Sequence, residues 1–281
     1  MAEVRHGSIT VRGLRSPVLS AGDASSDTAV VAVHGNPGSG EDWRGLLAAV
    51  GERHRAVALD LPGFGQSDKP RDFDHSVAGY AAHLEAALQE LGVGRAHLVL
   101  HDFGGPWGLA WAAQHPERVA SIVLIDTGVL VGYRGHWLAR VWVTPGLGEA
   151  VMATDPHPRL FGALLEHGYP GKTRPPRLPR AFVDRMAHDF DADTRRAVLR
   201  LYRSAARNAH EVPRLASALR GLDCPVLVVW GGRDHYIGVE HAMRQREVFD
   251  QARVVVLPGS GHWPMIDDAA TVQGLVADFL G

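Results

Sequence analysis

The sequence predicts an α/β fold with a mostly parallel, doubly wound sheet. Short apolar runs rich in Val, Ile and Leu recur along the 281 residues without strict alternation with polar residues, which is typical of parallel strands buried on both faces. Longer segments with helical periodicity separate these runs. Strand–helix repetition of this kind indicates a parallel sheet that is covered by helices on both sides.

Each element is assigned from its local pattern, in chain order. Two early runs, at residues 8–11 and 17–19, predict an antiparallel hairpin at one edge of the sheet. The parallel strands are predicted at residues 29–33, 56–59, 97–100, 121–125, 225–230 and 253–257. Helices are predicted at residues 76–91, 106–115, 239–249 and 269–279.

The repetition is interrupted between about residues 132 and 213. This stretch holds several aromatic residues, a proline-rich connector at 169–179 and a helical pattern at 193–207, but no run typical of a central strand. Because open α/β sheets bind ligands beyond the carboxyl ends of their strands, we interpret residues 132–213 as a helical cap over that edge, inserted after the sixth strand. Residues 1–131 and 214–281 then form the core. A helical subdomain without substrate contact is the alternative.

Composition excludes several classes of protein. Lys plus Arg number 29 and Asp plus Glu 31, for a net charge of −2, whereas a nucleic-acid-binding protein is expected to carry a basic excess. The amino terminus lacks the apolar segment of a secretory leader, and no apolar stretch approaches the ~18–20 residues of a membrane span. The single cysteine, Cys224, cannot form a bridge within the chain, which suits a reducing compartment. We therefore expect a cytoplasmic protein without nucleic-acid or membrane partners, and leave homo-oligomerisation open.

The strongest functional motif is LVLHDFGGPWG at residues 98–108. An apolar strand leads into Asp102, two glycines follow, and proline stands in the first turn of a helix, where a missing N–H costs little. A sharp strand-to-helix turn lifts one side chain above the sheet, and Gly104 permits a close approach of the backbone. Asp102 is therefore a candidate nucleophile, while its simpler role would be that of a helix N-cap.

Two backbone N–H groups are predicted to face Asp102. The turn HGNPG at residues 34–38 follows the first parallel strand and can direct the N–H of Asn36 toward the space above the strand-to-helix turn. Together with the N–H of Phe103 it would form an oxyanion hole. A phosphate-binding loop is disfavoured, because the glycine spacing is not G-x-G-x-x-G.

An acid and a histidine follow later strands. Asp234 ends the motif VWGGRD directly after a buried run, and His262 stands in the motif GSGHWP between the last strand and the last helix. A glycine-flanked loop allows an imidazole to reach a site. The order Asp102, Asp234, His262 is the nucleophile–acid–histidine order of the α/β-hydrolase fold.

Over essentially its whole length the sequence resembles the α/β-hydrolase superfamily. The motif HDFGG at residues 101–105 resembles the aspartate-nucleophile branch, the epoxide hydrolases and haloalkane dehalogenases. The motif DLPGFGQSD at residues 60–68 resembles the loop after the fourth strand of these enzymes. The resemblance implies an α/β-hydrolase fold with a cap, a small apolar electrophilic substrate and water as reactants, and no metal or organic cofactor.

Aspartate at the strand-to-helix turn suits attack on a saturated carbon. A carboxylate forms an alkyl ester there, which keeps a carbonyl that water can attack, whereas serine would form an inert ether. Asp102 is expected to open the electrophile, His262 to act as general base on water, and Asp234 to orient the imidazole and stabilise its cation. Asp126, in the motif LIDT, also ends a strand and is the alternative acid, as in some dehalogenases.

Epoxide hydrolysis is the function that we favour from the sequence. Opening an epoxide leaves an alkoxide that needs an acidic donor, and epoxide hydrolases use cap tyrosines for it. Tyr202, followed by Arg203, resembles one of these tyrosines, with Tyr169 as candidate partner and Tyr133 as a weaker one. Packing between cap helices is the alternative role of Tyr202.

Dehalogenation and ligand binding without catalysis are the other hypotheses. Asn36 after His34-Gly35 matches the haloalkane dehalogenase pattern. However, Phe103 replaces the tryptophan that usually follows the nucleophile, and Phe has no N–H to donate to a halide. Trp107, one helical turn further on, is the substitute donor that the sequence offers. A complete triad argues against a non-catalytic receptor.

Overall fold

The computed structural model describes residues 1–154, 158–167 and 177–281. Eight strands belong to one sheet in the described chain. They are β1 (Arg5–Val11), β2 (Leu14–Ala21), β3 (Thr28–Val33), β4 (Arg55–Leu59), β5 (Arg95–His101), β6 (Val119–Ile125), β7 (Val226–Gly231) and β8 (Arg253–Leu257). Their spatial order is β1-β2-β4-β3-β5-β6-β7-β8.

The sheet is parallel from β4 to β8 and antiparallel at its other edge. β1 and β2 form the predicted hairpin, and β2 pairs antiparallel with β4. One register row crosses the parallel part through Val57, Val31, Leu98, Ile122 and Val226. Because the strands are parallel, the loops that follow β3, β5, β6, β7 and β8 meet at one edge of the sheet.

Helices cover both faces of the sheet and fill the segment between β6 and β7. They are α1 (Arg44–Val50), α2 (Val77–Glu90), α3 (Gly104–Gln114), α4 (Trp137–Val143), α5 (Leu147–Ala153), α6 (Pro158–His167), α7 (Arg180–Asp189), α8 (Ala192–Arg207), α9 (Val212–Leu219), α10 (Glu240–Arg244), α11 (Pro264–Asp267) and α12 (Ala269–Leu280). The helices predicted at 76–91, 106–115 and 269–279 correspond to α2, α3 and α12. The helix predicted at 239–249 is shorter: it ends at Arg244 and continues as a 3-10 turn, Gln245–Glu247.

The predicted cap is helical and follows the sixth strand. In the part of residues 132–213 that the structure describes, the regular elements are helices and no strand occurs. The division at residues 132 and 213 stays a prediction, and most of the proline-rich connector lies outside the described residues. Arg185 on α7 donates to Ser39 and Asp42 of the core, and the ammonium of Lys69 pairs with Asp191 before α8. These bonds tie the cap to the loops at the strand ends.

The core supports the strand ends from below. Four tryptophan side chains are less than 2% exposed: Trp43, Trp107, Trp111 and Trp230. The parallel strands are buried on both faces, as a doubly wound sheet requires. None of the helices in the described ranges is both long and apolar enough to cross a membrane.

Candidate active site

Asp102 stands at a strained turn between β5 and α3. Its φ of 49° lies in the left-handed region that residues with a Cβ rarely adopt. The carbonyl oxygen of Asp102 accepts hydrogen bonds from the N–H of Gly105 and the hydroxyl of Thr127. A Cβ on Gly104 would collide with the backbone oxygen of Val33, so only glycine allows the turn to pass this close to β3. The tight turn presents the Asp102 carboxylate at the strand ends.

The predicted N–H of Asn36 reaches this carboxylate. It donates to Oδ1 of Asp102 at 2.7 Å, and a Cβ on Gly35 would collide with the Asp102 side chain. The ring of His34 fixes the loop from within the core, since its Nε2 accepts from the N–H of Leu61 at 3.0 Å. Phe103 adopts helical angles at the start of α3, and its role in an oxyanion hole stays a prediction.

The predicted acid and base meet Asp102 in space. His262 Nδ1 lies 2.8 Å from Oδ2 of Asp234, and His262 Nε2 lies 3.6 Å from Oδ2 of Asp102. The second oxygen of Asp234 accepts the N–H groups of Tyr236 and Ile237 at 2.7 and 3.0 Å. The structure thus brings together three residues that are 28 to 160 positions apart in the sequence. Both ring nitrogens of His262 face a carboxylate.

The charges of these groups support one another. Burial opposes ionisation of Asp102, yet the charge of His262 and the N–H of Asn36 hold the pKa of Asp102 below its usual range. Burial also disfavours the His262 cation, but Asp234 and Asp102 raise the pKa of His262 well above its usual value. This arrangement therefore favours an imidazolium between two carboxylates.

His101 is a site residue to which the sequence analysis gave no role. A carbonyl can only accept, so the 2.7 Å contact between His101 Nε2 and the backbone oxygen of His262 makes Nε2 the donor. Burial and the neighbouring His262 cation lower the pKa of His101 to about 4, which keeps the ring neutral. His101 therefore anchors the backbone of the His262 loop. Its place directly before Asp102 was the only signal in the sequence.

Asp126, the alternative acid, is close to the triad but does not bond to His262. It follows β6, is fully buried, and its Oδ1 accepts the N–H of Gly231 at 2.9 Å. Burial and the negative charge of Asp234 raise the pKa of Asp126 well above its usual value. The direct partner of His262 is Asp234. Because that hydrogen bond occupies the atoms that a metal ion would need, we assign no metal ligands here.

The cap contributes a tyrosine–histidine pair. The ring of Tyr202 on α8 packs edge-on against Phe103 at 5.1 Å, and its hydroxyl lies 3.0 Å from Nε2 of His136. Nδ1 of His136 accepts the N–H of Ala139 at 3.2 Å and so caps α4. A neutral His136 therefore carries its proton on Nε2 and donates it to Tyr202. The Tyr202 hydroxyl is left to donate its own proton elsewhere.

No sequence motif marks His136. The sequence predicted no helix directly after His136, and its contact with Tyr202 spans 66 residues. Tyr133 donates its hydroxyl to the backbone oxygen of Tyr236 at 2.7 Å. Tyr169 lies outside the described residues. Trp107 is fully buried and stacks on Tyr80 at 4.0 Å.

The side chain of Asn36 is one of the unpaired polar groups of the site. Its Oδ1 and Nδ2 are buried and, among the described residues, have no hydrogen-bond partner of good geometry. The amide lies beside the Tyr202 hydroxyl, where it favours the phenolate form. Buried polar groups are usually paired, so the Asn36 amide next to Asp102 and Tyr202 is a candidate hydrogen-bond partner for a ligand atom.

Comparison with known proteins identifies the family. The model of the alpha/beta hydrolase fold family matches residues 28–269. The chain belongs to the alpha/beta hydrolase fold family. This confirms the fold class expected from the motifs at residues 60–68 and 98–108. The strand order and the cap after β6 agree with it.

Curated relatives align with most of the length of this hydrolase. A 2-hydroxymuconate semialdehyde hydrolase of Pseudomonas sp. (strain CF600) is 28% identical over 267 residues, which are 92% of this chain and 88% of that protein. A cis-3-alkyl-4-alkyloxetan-2-one decarboxylase of Shewanella oneidensis is 30% identical over 256 residues, 86% of this chain and 78% of that protein. Relatives with catalytic names support an enzyme.

The solved structures of an epoxide hydrolase and of a haloalkane dehalogenase share the fold of this hydrolase. An epoxide hydrolase from Vigna radiata superimposes with a TM-score of 0.82 at 22% identity, over 99% of this chain and 98% of that one. A haloalkane dehalogenase from Agrobacterium tumefaciens gives a TM-score of 0.83 at 21% identity, over 99% and 96%. At these identities the likeness extends to the fold, and the choice between activities depends on the site.

Proposed function

We propose that this hydrolase opens a small apolar epoxide to a diol through a covalent ester on Asp102. The observation that carries the proposal is the unequal environment of the two carboxylate oxygens. Oδ1 accepts the N–H of Asn36 at 2.7 Å, while Oδ2 lies 3.6 Å from Nε2 of His262. Oδ1 is thus held as the future ester carbonyl, and Oδ2 is left to attack. This supports covalent catalysis by Asp102.

In the first step, Oδ2 of Asp102 bonds to an epoxide carbon and the ring C–O bond breaks, leaving the electron pair on oxygen. Tyr202 gives its hydroxyl proton to that oxygen, and the Nε2–H of His136 stabilises the phenolate. Burial and the charge of Asp102 raise the pKa of Tyr202. Ester formation consumes that charge, so the phenol becomes more acidic as the reaction proceeds. The His262 cation then returns a proton to Tyr202 through water.

In the second step, the neutral His262 takes a proton from water, and the hydroxide adds to Cγ of Asp102. The oxyanion forms on Oδ1, where the N–H of Asn36 stabilises it. The bond from Cγ to Oδ2 then breaks, and Oδ2 leaves with the product as a hydroxyl group that takes the proton from His262, while the oxygen of water replaces it in the carboxyl group. Asp102, now a carboxylic acid, returns a proton to His262. One water has been added to one epoxide, and the resting ion pair is restored.

The leaving group decides between epoxide and haloalkane. An alkoxide is a strong base that a phenol with a reference pKa of about 10 can protonate, whereas a halide needs only neutral N–H donors. The Tyr202–His136 pair supports an oxygen leaving group. The free amide of Asn36 favours dehalogenation as the second candidate, because its Nδ2 could hold a halide.

A substrate panel tests the proposal. We would supply an aryl epoxide, a terminal epoxide, a bromoalkane and an oxetan-2-one of the class named for the Shewanella relative, and measure diol, free halide and ring-opened product. The expected result is diol from at least one epoxide, with most of that activity lost in Tyr202→Phe. Halide release that Tyr202→Phe leaves unchanged, without diol from any epoxide, would favour dehalogenation instead.

A further inference from the structure

Two buried aspartates, from the ends of adjacent strands, face the same imidazole. An oxygen of Asp126, an oxygen of Asp234 and a ring nitrogen of His262 all lie within 4.8 Å of one another. Asp126 is fully buried and Asp234 is 7% exposed. The triad described above uses only Asp234, which leaves a second carboxyl group beside the base without a role.

The two carboxyl groups have unequal partners. Asp234 accepts three hydrogen bonds, from the N–H groups of Tyr236 and Ile237 and from His262 Nδ1. Asp126 accepts one, from the N–H of Gly231, and its Oδ2 has no partner of good geometry among the described residues. Hydrogen bonds from donors stabilise the ionised form of a carboxyl group. The environment therefore favours the carboxylate at Asp234 and the protonated acid at Asp126.

Two negative charges this close in a buried site repel each other strongly, and a proton on one of the two groups removes the repulsion. We infer that Asp126 is a protonated positioning residue: Asp126 and Asp234 share one negative charge beside His262, and Asp126 ionises to pair with His262 when Asp234 loses its charge. This inference builds on the role of His262 as base in the proposed function. It changes the triad acid from one residue to a pair.

The other titratable groups around the pair do not supply a competing charge. His101, His136 and His241 all feel the charge of Asp234, and burial lowers the pKa of each of them. Asp102 lies on the far side of the imidazole, at Nε2. The raised pKa of Asp126, caused by burial and then by Asp234, agrees with the assignment.

The pair predicts unequal effects of isosteric substitutions. Asp126→Asn replaces a neutral acid by a neutral amide, so the charge beside His262 is unchanged. Asp234→Asn removes the carboxylate, and Asp126 is then free to ionise. Only the double variant leaves His262 without an acid on its Nδ1 side. The loss of activity in Asp234→Asn should become smaller as the pH rises, because Asp126 must release its proton before it can pair with His262.

The first measurement is an NMR titration of His262 in the full chain, which needs no substrate. We expect Asp126→Asn to leave the His262 pKa within a few tenths of a unit, and Asp234→Asn to lower it. The double variant should lower it by about one unit more, a tenfold change in the equilibrium. Asp60→Asn, a buried carboxyl group after β4 that bonds to Gly40 and Gln66, is the control that should not move it.

Kinetics on a verified substrate give the second measurement. Loss of a triad carboxylate costs roughly 10⁴ in kcat when nothing replaces it. We expect kcat to fall by a factor of about 10²–10³ in Asp234→Asn and by a factor of about 10⁴ in the double variant. The inference is overturned if Asp126→Asn lowers the His262 pKa as much as Asp234→Asn does, or if the double variant titrates like Asp234→Asn. Asp126→Ser, equally neutral, replaces Asp126→Asn if that variant does not fold. Absence of epoxide turnover with the expected titration would reject only the proposed function.

Discussion

The guanidinium of Arg185 on cap helix α7 donates at 2.5 Å to the carboxylate of Asp42, a side chain buried in the core. The same guanidinium also donates to the Ser39 hydroxyl at 2.6 Å. Asp42 follows the loop that carries Asn36, so the bond joins the cap to the loop that donates a hydrogen bond to Asp102. Loss of this bond should therefore lower both the stability of the protein and its turnover rate.

We expect Arg185→Met to lower the free energy of unfolding by about 3 kcal/mol, because it leaves a buried charge without its partner. Urea unfolding at neutral pH measures this. Burial raises the pKa of Asp42 in the folded protein, so its charge costs stability as the pH rises. The loss in the variant should therefore shrink toward acidic pH, where Asp42 takes up a proton. Lys69→Met removes a peripheral cap contact and should cost under about 1 kcal/mol. Equal losses in the two variants would show that Asp42 does not depend on Arg185.

The covalent step can be observed by removing the base. His262→Gln should still form the ester on Asp102 but should not hydrolyse it, because Gln cannot take a proton from water. Intact-protein mass spectrometry after addition of a verified substrate should show one added substrate mass. Asp102→Asn is the matched control and should stay unmodified. An unmodified His262→Gln protein would contradict covalent catalysis.

The direction of the Tyr202 proton depends on His136. In His136→Asn, the new side chain can still cap α4, because Asn is a favoured N-cap, but it is too short to donate to Tyr202. We expect diol formation to fall by about 10- to 100-fold, less than the ~10²–10⁴ expected for loss of a general acid in Tyr202→Phe. Circular dichroism should show unchanged helix content. If His136→Asn retains full activity, Tyr202 does not need this donor.

The left-handed backbone of Asp102 costs stability. A residue with a Cβ in this region is roughly 1–2 kcal/mol less favourable than glycine. Asp102→Gly and Asp102→Ala both remove the carboxylate and should both be inactive. We expect Asp102→Gly to be the more stable of the two by about 1 kcal/mol in urea unfolding. Equal stabilities would mean that the turn relaxes without the aspartate.

Periodicity predicted the sheet because parallel strands buried on both faces must be apolar along their length, and the runs around Val31 and Leu98 are. It did not predict α1, which has only seven residues. The helix predicted at 239–249 breaks where the buried side chain of Gln245 bonds to the backbone of Val129. A contact across 116 residues overrides local helical preference there.

The candidate site was predictable where chemistry follows strand ends in chain order, as for Asp102, Asp234 and His262. It was not predictable where two distant segments meet. His136 has no recognisable motif, and its importance comes from a hydrogen bond to Tyr202 across the cap. The proximity of Asp126 to Asp234 depends on β6 and β7 being neighbours in the sheet, and the strand order that makes them neighbours is a property of the folded chain.

The two ring nitrogens of His136 link local folding to chemistry. Nδ1 holds the first turn of α4, and Nε2 orients Tyr202. Burial lowers the pKa of His136 to about 4. Protonation of Nδ1 near that pH would break its hydrogen bond with the N–H of Ala139 in α4 and leave a buried cation in the cap. Acid inactivation and the first unfolding of the cap should therefore share one titration midpoint. The acid limit of this hydrolase would then depend in part on a helix cap, together with the anchor of the His262 loop at His101, whose pKa is also about 4.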